Sequence, residues 1–185
     1  MSYLKGIENN QGITFRGDKG LDLHAYCDSD WANCPDTRRS TSGFVVMVAG
    51  AAVSWISKRQ ATVALSTAEA EYATACLAAQ EVQWIRQLLA EINVPVPKEP
   101  TTVHADSQSA IHMCNNPTAG RAKHIDIKMH FVKEAQERGV VNFKYIPTTE
   151  EAADVLTKAL AGPKIIKFRN IIHGDIETAT ISANI

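Results

Sequence analysis

The stretch GFVVMVAGAAVSWISKRQ, residues 43–60, decides how this chain folds. It is rich in valine and is interrupted by one glycine, a pattern typical of two strands joined by a tight turn. Before it, LDLHAYC (21–27) predicts another strand, and after it residues 66–92 form the clearest helical pattern. In that helix apolar residues recur at steps of three and four, and Ser66 followed by Glu69 fits an N-terminal capping box. The first half therefore predicts a three-stranded antiparallel meander followed by a long helix.

The second half of the chain alternates strands and helices. Strands are predicted over residues 101–107 and 140–146, and helices over residues 107–116, 122–139, 149–160 and 163–174. The prolines of NVPVPKEP exclude a helix between residues 93 and 100. Strands that alternate with helices pair in parallel, whereas a meander is antiparallel. The fold class is therefore α/β with a mixed sheet.

Composition restricts the class of protein. The chain has 185 residues, of which 45% are hydrophobic and 21% charged, as expected for one soluble globular domain. We expect no membrane segment, because no apolar run approaches the roughly 18 residues of a membrane span. Four cysteines without CxxC spacing favour a reduced intracellular protein. A net charge of −1 argues against a dedicated nucleic-acid binder, so a metal or another domain would have to supply positive charge.

Four acidic residues lie where the active sites of open α/β sheets usually form. Asp28 and Asp106 end predicted strands, Glu71 lies in the first turns of the long helix, and Asp154 lies near the start of a predicted helix. Clustered carboxylates repel one another unless cations lie among them, and oxygen ligands suit Mg²⁺ or Mn²⁺. Two such ions about 3.5–4 Å apart can activate a water and stabilise the leaving oxygen in phosphodiester cleavage. The structural alternative, turn formers and helix caps, stays open, because a single aspartate at a strand end usually has that role.

Five segments carry a resemblance to a known family. They are AYCDSDWANCPDTRRSTSGFVV, SWISKRQATVALSTAEAEYATA, VHADSQSAIHMCNNP, KHIDIKMHFVKE and AADVLTKAL. In this order they resemble the ribonuclease H domain of copia-type retrotransposon Pol polyproteins, from about residue 20 to about residue 172. The resemblance implies the ribonuclease H-like fold, a five-stranded mixed sheet flanked by helices. YLKGIENNQGITF resembles the segment that joins this domain to the reverse transcriptase, which predicts a lead-in over 1–20, a ribonuclease H domain over 21–174 and a flexible tail over 175–185.

The resemblance also implies a function. The family's four acidic metal ligands fall on Asp28, Glu71, Asp106 and Asp154. The implied cofactor is two Mg²⁺ ions, with Mn²⁺ as the alternative, and the implied reaction is hydrolysis of the RNA strand of RNA/DNA hybrids during reverse transcription. The implied partners are the hybrid and the reverse transcriptase domain of the same polyprotein. The implied location is the cytoplasm, in a virus-like particle, and the sequence does not indicate an oligomeric state.

Two choices between neighbouring acids follow. Asp28 is favoured over Asp30, because the chain is expected to be leaving the strand by Asp30. Glu71 is favoured over Glu69, because the capping box gives Glu69 a structural task. Two features depart from cellular members of the superfamily. The loop IPTTEEAAD contains no histidine before the last aspartate, and only NPTAGRA separates the two middle helices, which leaves no room for a basic protrusion.

Further residues are candidates for substrate binding. Contacts to 2′-hydroxyl groups are assigned to four polar residues beside the acids, Ser29, Asn33, Ser107 and Gln108. Phosphate contacts are assigned to six cations, Arg38, Arg39, Lys58, Arg59, Arg121 and Lys123, for which ordinary solvated charges are the alternative. His124 and Asp126 of KHID are expected to cap or pack rather than bind metal. Trp31, Trp55 and Trp84 are expected to be core or shielding aromatic residues.

Three rival functions remain open at this stage. The chain could be a nucleic-acid-binding module without catalysis, a structural domain that acts only with its reverse transcriptase, or another nuclease of the same fold, such as an integrase-like enzyme acting on DNA. Metal-dependent cleavage would separate the enzyme from the first two. A STAEAEY helix directly after three strands favours ribonuclease H over the third.

Overall fold

The computed structural model describes residues 12–116 and 123–175, without the side chains of Lys19 and residues 123–126. Its sheet has five strands in the order β3-β2-β1-β4-β5. They are β1 (Leu23–Asp30), β2 (Thr41–Val48), β3 (Ala51–Arg59), β4 (Thr101–Ala105) and β5 (Val141–Tyr145). β1 to β3 pair antiparallel, whereas β4 pairs parallel with both β1 and β5. The predicted mixed α/β sheet is confirmed.

Four α-helices accompany the sheet in the described part of the chain. They are α1 (Thr67–Glu91), α2 (Gln108–Asn115), α3 (Lys123–Glu137) and α4 (Gly162–His173). The predicted cap of α1 is present, since the Ser66 hydroxyl accepts a hydrogen bond from the Glu69 backbone N–H at 3.1 Å. Glu69 in turn accepts from the Leu65 N–H at 2.9 Å. The first bond satisfies a backbone donor that the first turn of a helix leaves without an intrahelical partner, and the second holds the residue just before the N-cap.

The helix predicted over residues 149–160 is wrong. Only a five-residue 3-10 helix, Ala152–Leu156, forms there, and α4 begins after a short turn. Burial gives the physical reason, because the four consecutive residues 151–154 are all fully buried. A surface α-helix buries one stripe of its circumference and cannot bury four residues in a row. The 3-10 helix lies instead against β1, β2 and α4.

The core has two parts, one on each face of the sheet. Alternate residues of a strand face opposite sides, so Cys27 of β1 packs among residues of α1 and Tyr26 packs with Phe168 of α4. Asp28 has the parity of Tyr26 and therefore lies on the α4 side. Of the two roles expected for the tryptophans, core or shielding, the core role is wrong, because Trp31, Trp55 and Trp84 are 44%, 57% and 54% exposed.

Two further features bear on the sequence predictions. All four cysteines are unpaired and buried. Among the described residues, no helix combines the length and the apolar character that crossing a membrane requires. The division into lead-in, domain and tail stays a prediction, and residues 1–11 and 176–185 lie outside the described part.

A half-buried histidine on the α4 side of the sheet predicts that the stability of the fold depends on pH. His104 of β4 stacks on Tyr26 with ring centroids 5.2 Å apart. Burial, the neighbouring His24 and Lys144 lower the pKa of His104 to about 4, whereas an unfolded histidine titrates near pH 6.5. The folded state therefore binds fewer protons between these values, and stability is lost as the pH falls through that window.

We expect the parent chain to lose about 2 kcal/mol of unfolding free energy through His104 between pH 7 and pH 5. A His104→Gln variant lacks this contribution, so the stability difference between parent and variant should shift by that amount. Urea unfolding of both proteins at the two pH values measures it. If the difference in unfolding free energy between the parent and His104→Gln stayed constant with pH, the lowered pKa of His104 would be contradicted.

Candidate active site

Three aspartates from separate elements meet at one end of the sheet. Asp28 lies in β1, Asp106 follows β4, and Asp154 lies in the 3-10 helix. Each offers a carboxylate oxygen, and these oxygens all lie within 4.8 Å of one another. Because β1 and β4 are parallel neighbours, their carboxyl ends coincide. The structure thus brings together three of the four acids that the sequence predicted as ligands.

Asp28 and Asp30 differ in burial rather than in strand membership. Asp30 is the last residue of β1, so the chain leaves the strand directly after it. Asp28 is 1% exposed and belongs to the three-aspartate group, whereas Asp30 is half-buried and does not. Burial raises the pKa of Asp28 above its ordinary value, although the Thr157 hydroxyl and the Lys158 ammonium oppose this. A buried carboxylate of this kind needs cations nearby.

Glu71 approaches the same cluster from α1. Its side chain is 4% exposed, and one carboxylate oxygen, Oε2, has no hydrogen-bond partner among the described residues. Burial, followed by the charges of Asp28 and Asp106, raises the pKa of Glu71 to about 9. A hydrogen bond from the Ser29 backbone opposes the shift. Glu71 is therefore a carboxyl group that a nearby cation would convert to its charged form.

Two lysines that sequence reasoning missed already lie among these acids. The Lys158 ammonium is 3.4 Å from Asp28 Oδ1 and 2.8 Å from Asp154 Oδ1. Lys164 of α4 contacts the other carboxylate oxygen of Asp154. Burial lowers the pKa of Lys158, but the hydrogen bond to Asp154 and the charge of Asp28 outweigh it and raise this pKa overall. The signal in the sequence was the position of Lys158, one helical turn after Asp154.

Hydrogen bonds from uncharged hydroxyl groups orient two of the carboxylates. The Thr157 hydroxyl donates to Asp28 Oδ2, and the Thr148 hydroxyl donates to Asp106 Oδ2 at 2.7 Å. Glu151, which is fully buried, accepts a hydrogen bond from the Ala153 N–H at 3.0 Å and so caps the 3-10 helix. Burial raises the pKa of Glu151 well above its ordinary value. These residues hold the segment that carries Asp154.

A glycine makes the close approach of that segment to the sheet feasible. Gly43 of β2 is the partner of Asp28 across the β1–β2 ladder. A Cβ atom at Gly43 would lie 2.7 Å from Thr157 Cγ2 and 2.9 Å from Leu156 Cβ, closer than real Cβ contacts. The absence of a side chain therefore lets the 3-10 helix rest on the backbone of β2. Sequence reasoning missed this position, because one glycine in a strand carries no distinctive signal.

Comparisons with known proteins agree with this geometry. No protein-family model matches the chain. It is 36% identical over 162 residues to the "Retrovirus-related Pol polyprotein from transposon RE1" of Arabidopsis thaliana, covering 87% of the chain and 11% of the polyprotein. It is also 36% identical over 161 residues to the corresponding polyprotein from transposon TNT 1-94 of Nicotiana tabacum, covering 86% of the chain and 12% of that relative. The chain thus spans about a tenth of the length of these relatives.

Two solved ribonuclease H structures resemble the fold of this chain. LC11-RNase H1, crystallised in complex with an RNA/DNA hybrid, matches with a TM-score of 0.54 and 16% identity, covering 73% of this chain and 93% of that one. The N-terminal RNase H domain of rv2228c from Mycobacterium tuberculosis matches with a TM-score of 0.53 and 10% identity, covering 75% and 91%. The chain is a homologue of copia-type Pol polyproteins with the ribonuclease H fold. The resemblance and the fold predicted from the sequence are confirmed.

The acidic cluster of this ribonuclease H-like chain fits a hard divalent cation. Its donors are all carboxylate oxygens, which suit Mg²⁺ or Mn²⁺. Glu71 Oε2 is buried without a partner beside Asp28 and Asp106, and a cation there would satisfy it. Asp28, Asp106 and Asp154 form a group that can bind metal.

The predicted substrate-binding residues have different environments. Ser29 is buried inside β1, and Ser107 caps α2 by accepting from the Ala110 N–H at 3.2 Å. Asn33 is exposed and accepts a hydrogen bond from the Thr41 hydroxyl at 3.1 Å. The remaining described members are all exposed: Arg38, Arg39, Lys58, Arg59 and Gln108. Arg121 and the side chains of Lys123, His124 and Asp126 lie outside the described part, and the binding roles stay predictions.

The position of Lys158 predicts competition between this ammonium group and a metal. A cation bound by Asp28 and Asp154 would need oxygen lone pairs that Lys158 now uses. We expect Lys158→Met to lower the metal-free unfolding free energy by about 1–2 kcal/mol, less than for a fully buried pair because a third of Lys158 is exposed. The variant should regain more stability from added Mn²⁺ than the parent does.

Thermal unfolding in EDTA and in Mn²⁺ measures this difference. Lys133→Met is the matched control, because Lys133 pairs with Glu137 on the exposed surface of α3. Equal Mn²⁺ stabilisation of the parent and Lys158→Met would show that the lysine and the metal do not compete.

Proposed function

We propose that the chain hydrolyses the RNA strand of RNA/DNA hybrids, with Asp28, Glu71, Asp106 and Asp154 holding two Mg²⁺ ions, or alternatively Mn²⁺. The observation that carries the proposal is the convergence of the three aspartates within 4.8 Å at the carboxyl end of parallel strands. The relatives, which are Pol polyproteins, and the ribonuclease H fold support the same reaction class.

In this proposal the acidic residues are metal ligands and two threonines orient them. Asp28, Asp106 and Asp154 supply oxygen ligands from three separate elements, and Glu71 supplies a fourth carboxylate from α1. When bound, the divalent cations would supply Lewis acidity, which lowers the pKa of an attacking water and offsets charge on the departing 3′ oxygen. Thr157 and Thr148 fix the orientation of Asp28 and Asp106 by hydrogen bonds.

The chain is proposed to act together with the reverse transcriptase domain of its polyprotein, in a virus-like particle in the cytoplasm. The relatives are Pol polyproteins, which supports a reverse transcriptase domain as the partner. The nearly neutral net charge of −1 supports the same partner, because an attached domain could hold much of the hybrid.

One observation favours a second candidate, a catalytically silent domain that acts only with its reverse transcriptase. Lys158 and Lys164 already compensate the buried charges of Asp28 and Asp154. A cluster that is neutralised in this way can be stable without metal. The second candidate therefore explains the same acids as part of the fold.

Cleavage of a labelled RNA/DNA hybrid decides between the two. The purified chain is incubated with Mg²⁺, Mn²⁺ or EDTA beside Asp106→Asn, and Asp18→Asn, altered at an exposed residue outside the cluster, is the control. The proposal predicts metal-dependent cutting of the RNA strand alone, lost in Asp106→Asn and kept in Asp18→Asn. A folded chain that binds the hybrid but never cuts it would support the silent domain.

A further inference from the structure

An exposed apolar patch lies beside the acidic cluster. Trp31 is 44% exposed, and its indole Nε1–H donates to the Ala64 carbonyl at 3.1 Å. The chain neighbours of Ala64 are Val63, 46% exposed, and Leu65, 86% exposed. The hydrogen bond from Trp31 to Ala64 thus brings the indole next to the segment that carries Val63 and Leu65, and we call these three residues the Trp31 patch. The exposed faces of these side chains do not pack in the hydrophobic core.

Hydrogen bonds hold both segments of the Trp31 patch in place. On one side, Ala32 has a left-handed backbone with φ of 50°, and its N–H donates to the buried Ser40 hydroxyl at 3.1 Å. On the other side, Ala64 is 6% exposed, and the Leu65 N–H donates to Glu69 in the cap of α1. Because the indole is already fixed, binding a ligand there would cost little conformational entropy.

The patch joins the two elements that carry Asp28 and Glu71. Trp31 follows β1 directly and lies three residues after Asp28, about 10 Å along an extended strand. Ala64 lies just before the N-terminus of α1, seven residues before Glu71. The charges of one strand of double-stranded DNA are spaced by about 3.4 Å along the helix axis, so about three nucleotides span that distance from Asp28 to Trp31. A duplex with one phosphate at the acidic cluster therefore extends far enough to reach Trp31.

The charges around the patch indicate the kind of ligand. The Ala32–Ser40 bond places Arg39 close to Trp31 in the β1–β2 loop. The Gln60 N–H donates to the Ser40 carbonyl at 2.8 Å, which brings Arg59, at the end of β3, to the same edge. Both arginines are exposed. A fixed aromatic face beside exposed cations is the combination by which proteins hold nucleic-acid strands, through stacking and phosphate contacts.

We propose that Trp31 is a substrate-contact residue, whose indole face packs against a nucleotide of the bound hybrid next to the acidic cluster. The inference rests on the proposed function and adds a contact outside the four acids and the predicted polar and cationic residues. Val63 and Leu65 extend this apolar surface and contact the sugars of the nucleic-acid strand that packs on Trp31. Arg39 and Arg59 contribute phosphate contacts beside it.

Intrinsic fluorescence tests the contact directly, because the chain has only three tryptophans. Replacing the exposed Trp55 and Trp84 by phenylalanine leaves Trp31 as the single indole. This protein, carrying Asp106→Asn to prevent cutting, is titrated with an RNA/DNA hybrid in Mg²⁺. We expect saturable quenching of Trp31 fluorescence as a nucleotide packs on the ring.

Binding of variants gives the second readout. Trp31→Ala should weaken hybrid binding by about tenfold or more, the usual effect of removing one stacking aromatic residue. Trp31→Phe, which keeps a flat face, should recover part of that loss. Trp84→Ala is the matched control, because Trp84 has similar exposure but lies in the middle of α1, and its binding should equal that of the parent.

Each other result has a definite meaning. Unchanged Trp31 fluorescence at saturating hybrid, or equal binding by Trp31→Ala and Trp84→Ala, overturns the inference while leaving the proposed function intact. A parent chain that neither binds nor cuts the hybrid overturns the proposed function and the inference with it. Hybrid binding that survives in Trp31→Ala, with loss of binding to a purified reverse transcriptase domain, would make the patch a protein-docking surface and the inference wrong.

Discussion

Asp28→Asn is expected to remove hybrid cleavage almost completely while leaving the fold intact. Asp28 is the most central acid, because the Thr157 hydroxyl, the Lys158 ammonium and the charges of Asp154 and Asp106 all act on it. An amide is uncharged and offers one acceptor oxygen instead of two, so it is a much weaker ligand for a divalent cation than a carboxylate. Metal ions contribute several kcal/mol of transition-state stabilisation, and each 1.36 kcal/mol is tenfold in rate. We therefore expect a loss of at least about a thousandfold in the rate of RNA-strand cleavage.

The same substitution should not destabilise the metal-free protein. Burial raises the pKa of Asp28, so its charged form is costly in the folded state. Asparagine removes that charge and keeps an acceptor for the Thr157 hydroxyl. The free energy of unfolding in EDTA should thus equal or exceed that of the parent. Urea unfolding in EDTA, together with cleavage kinetics in Mg²⁺, separates loss of chemistry from loss of structure.

Asp30→Asn is the matched control, since Asp30 lies two residues further along the same face of β1. It lies outside the three-aspartate group, so its loss should change the rate by less than about fivefold, as for a half-exposed charge. Comparable loss in both variants would mean that Asp30 shares the role of Asp28. The assignment of Asp28 as the central ligand would then be wrong.

The parts of the molecule that sequence reasoning predicted are those governed by local pattern and sheet topology. Alternation and helical periodicity indicated all five strands and α1, and parallel pairing of β1 with β4 brought Asp28 and Asp106 to one end. The helix expected around Asp154 failed, because tertiary burial of residues 151–154 overrides the helical propensity of that segment. Helical propensity describes an isolated chain, whereas the conformation of this segment is determined by its packing against β2 and α4.

The missed residues share a different cause. In the sequence Lys158 and Lys164 resemble ordinary surface charges. Lys158 lies only four residues after Asp154, but Lys164 reaches Asp154 because α4 packs against the 3-10 helix. Trp31 was expected to be a core or shielding residue, and its indole is held by a hydrogen bond to Ala64, 33 residues away along the chain. Contacts of this kind depend on three-dimensional proximity, which a pattern along one chain does not contain.

Gly43→Ala is expected to damage the candidate site although the substitution changes none of its acidic side chains. The new Cβ would lie 2.7 Å from Thr157 Cγ2, 2.9 Å from Leu156 Cβ and 3.3 Å from the Ala153 carbonyl oxygen. All three atoms belong to the segment that carries Asp154, and backbone and Cβ atoms cannot rotate away. The segment must therefore move off β2, at a cost of about 1–3 kcal/mol in stability. Displacement of about 1 Å at a reacting centre can cost about a hundredfold in rate.

Gly162→Ala is the control for glycine replacement itself, because a Cβ there would meet no atom within 4 Å. It should preserve cleavage and leave stability equal or slightly higher, since alanine favours a helix over glycine by about 1 kcal/mol. Cleavage kinetics and stabilisation by Mn²⁺ should both fall in Gly43→Ala alone. Equal behaviour of the two variants would show that the close approach at Gly43 does not position Asp154.

A double variant distinguishes displacement of the segment from general destabilisation. Thr157→Ser removes the Cγ2 methyl group that Gly43→Ala would meet first, while it keeps the hydroxyl that donates to Asp28. Combined with Gly43→Ala, it should restore part of the cleavage rate and part of the Mn²⁺ stabilisation. The recovery should be incomplete, because Leu156 Cβ and the Ala153 carbonyl still oppose the new side chain. If the two substitutions instead add their losses, the defect does not arise from the contact between residues 43 and 157, and the position of Asp154 depends on other contacts of the 3-10 helix.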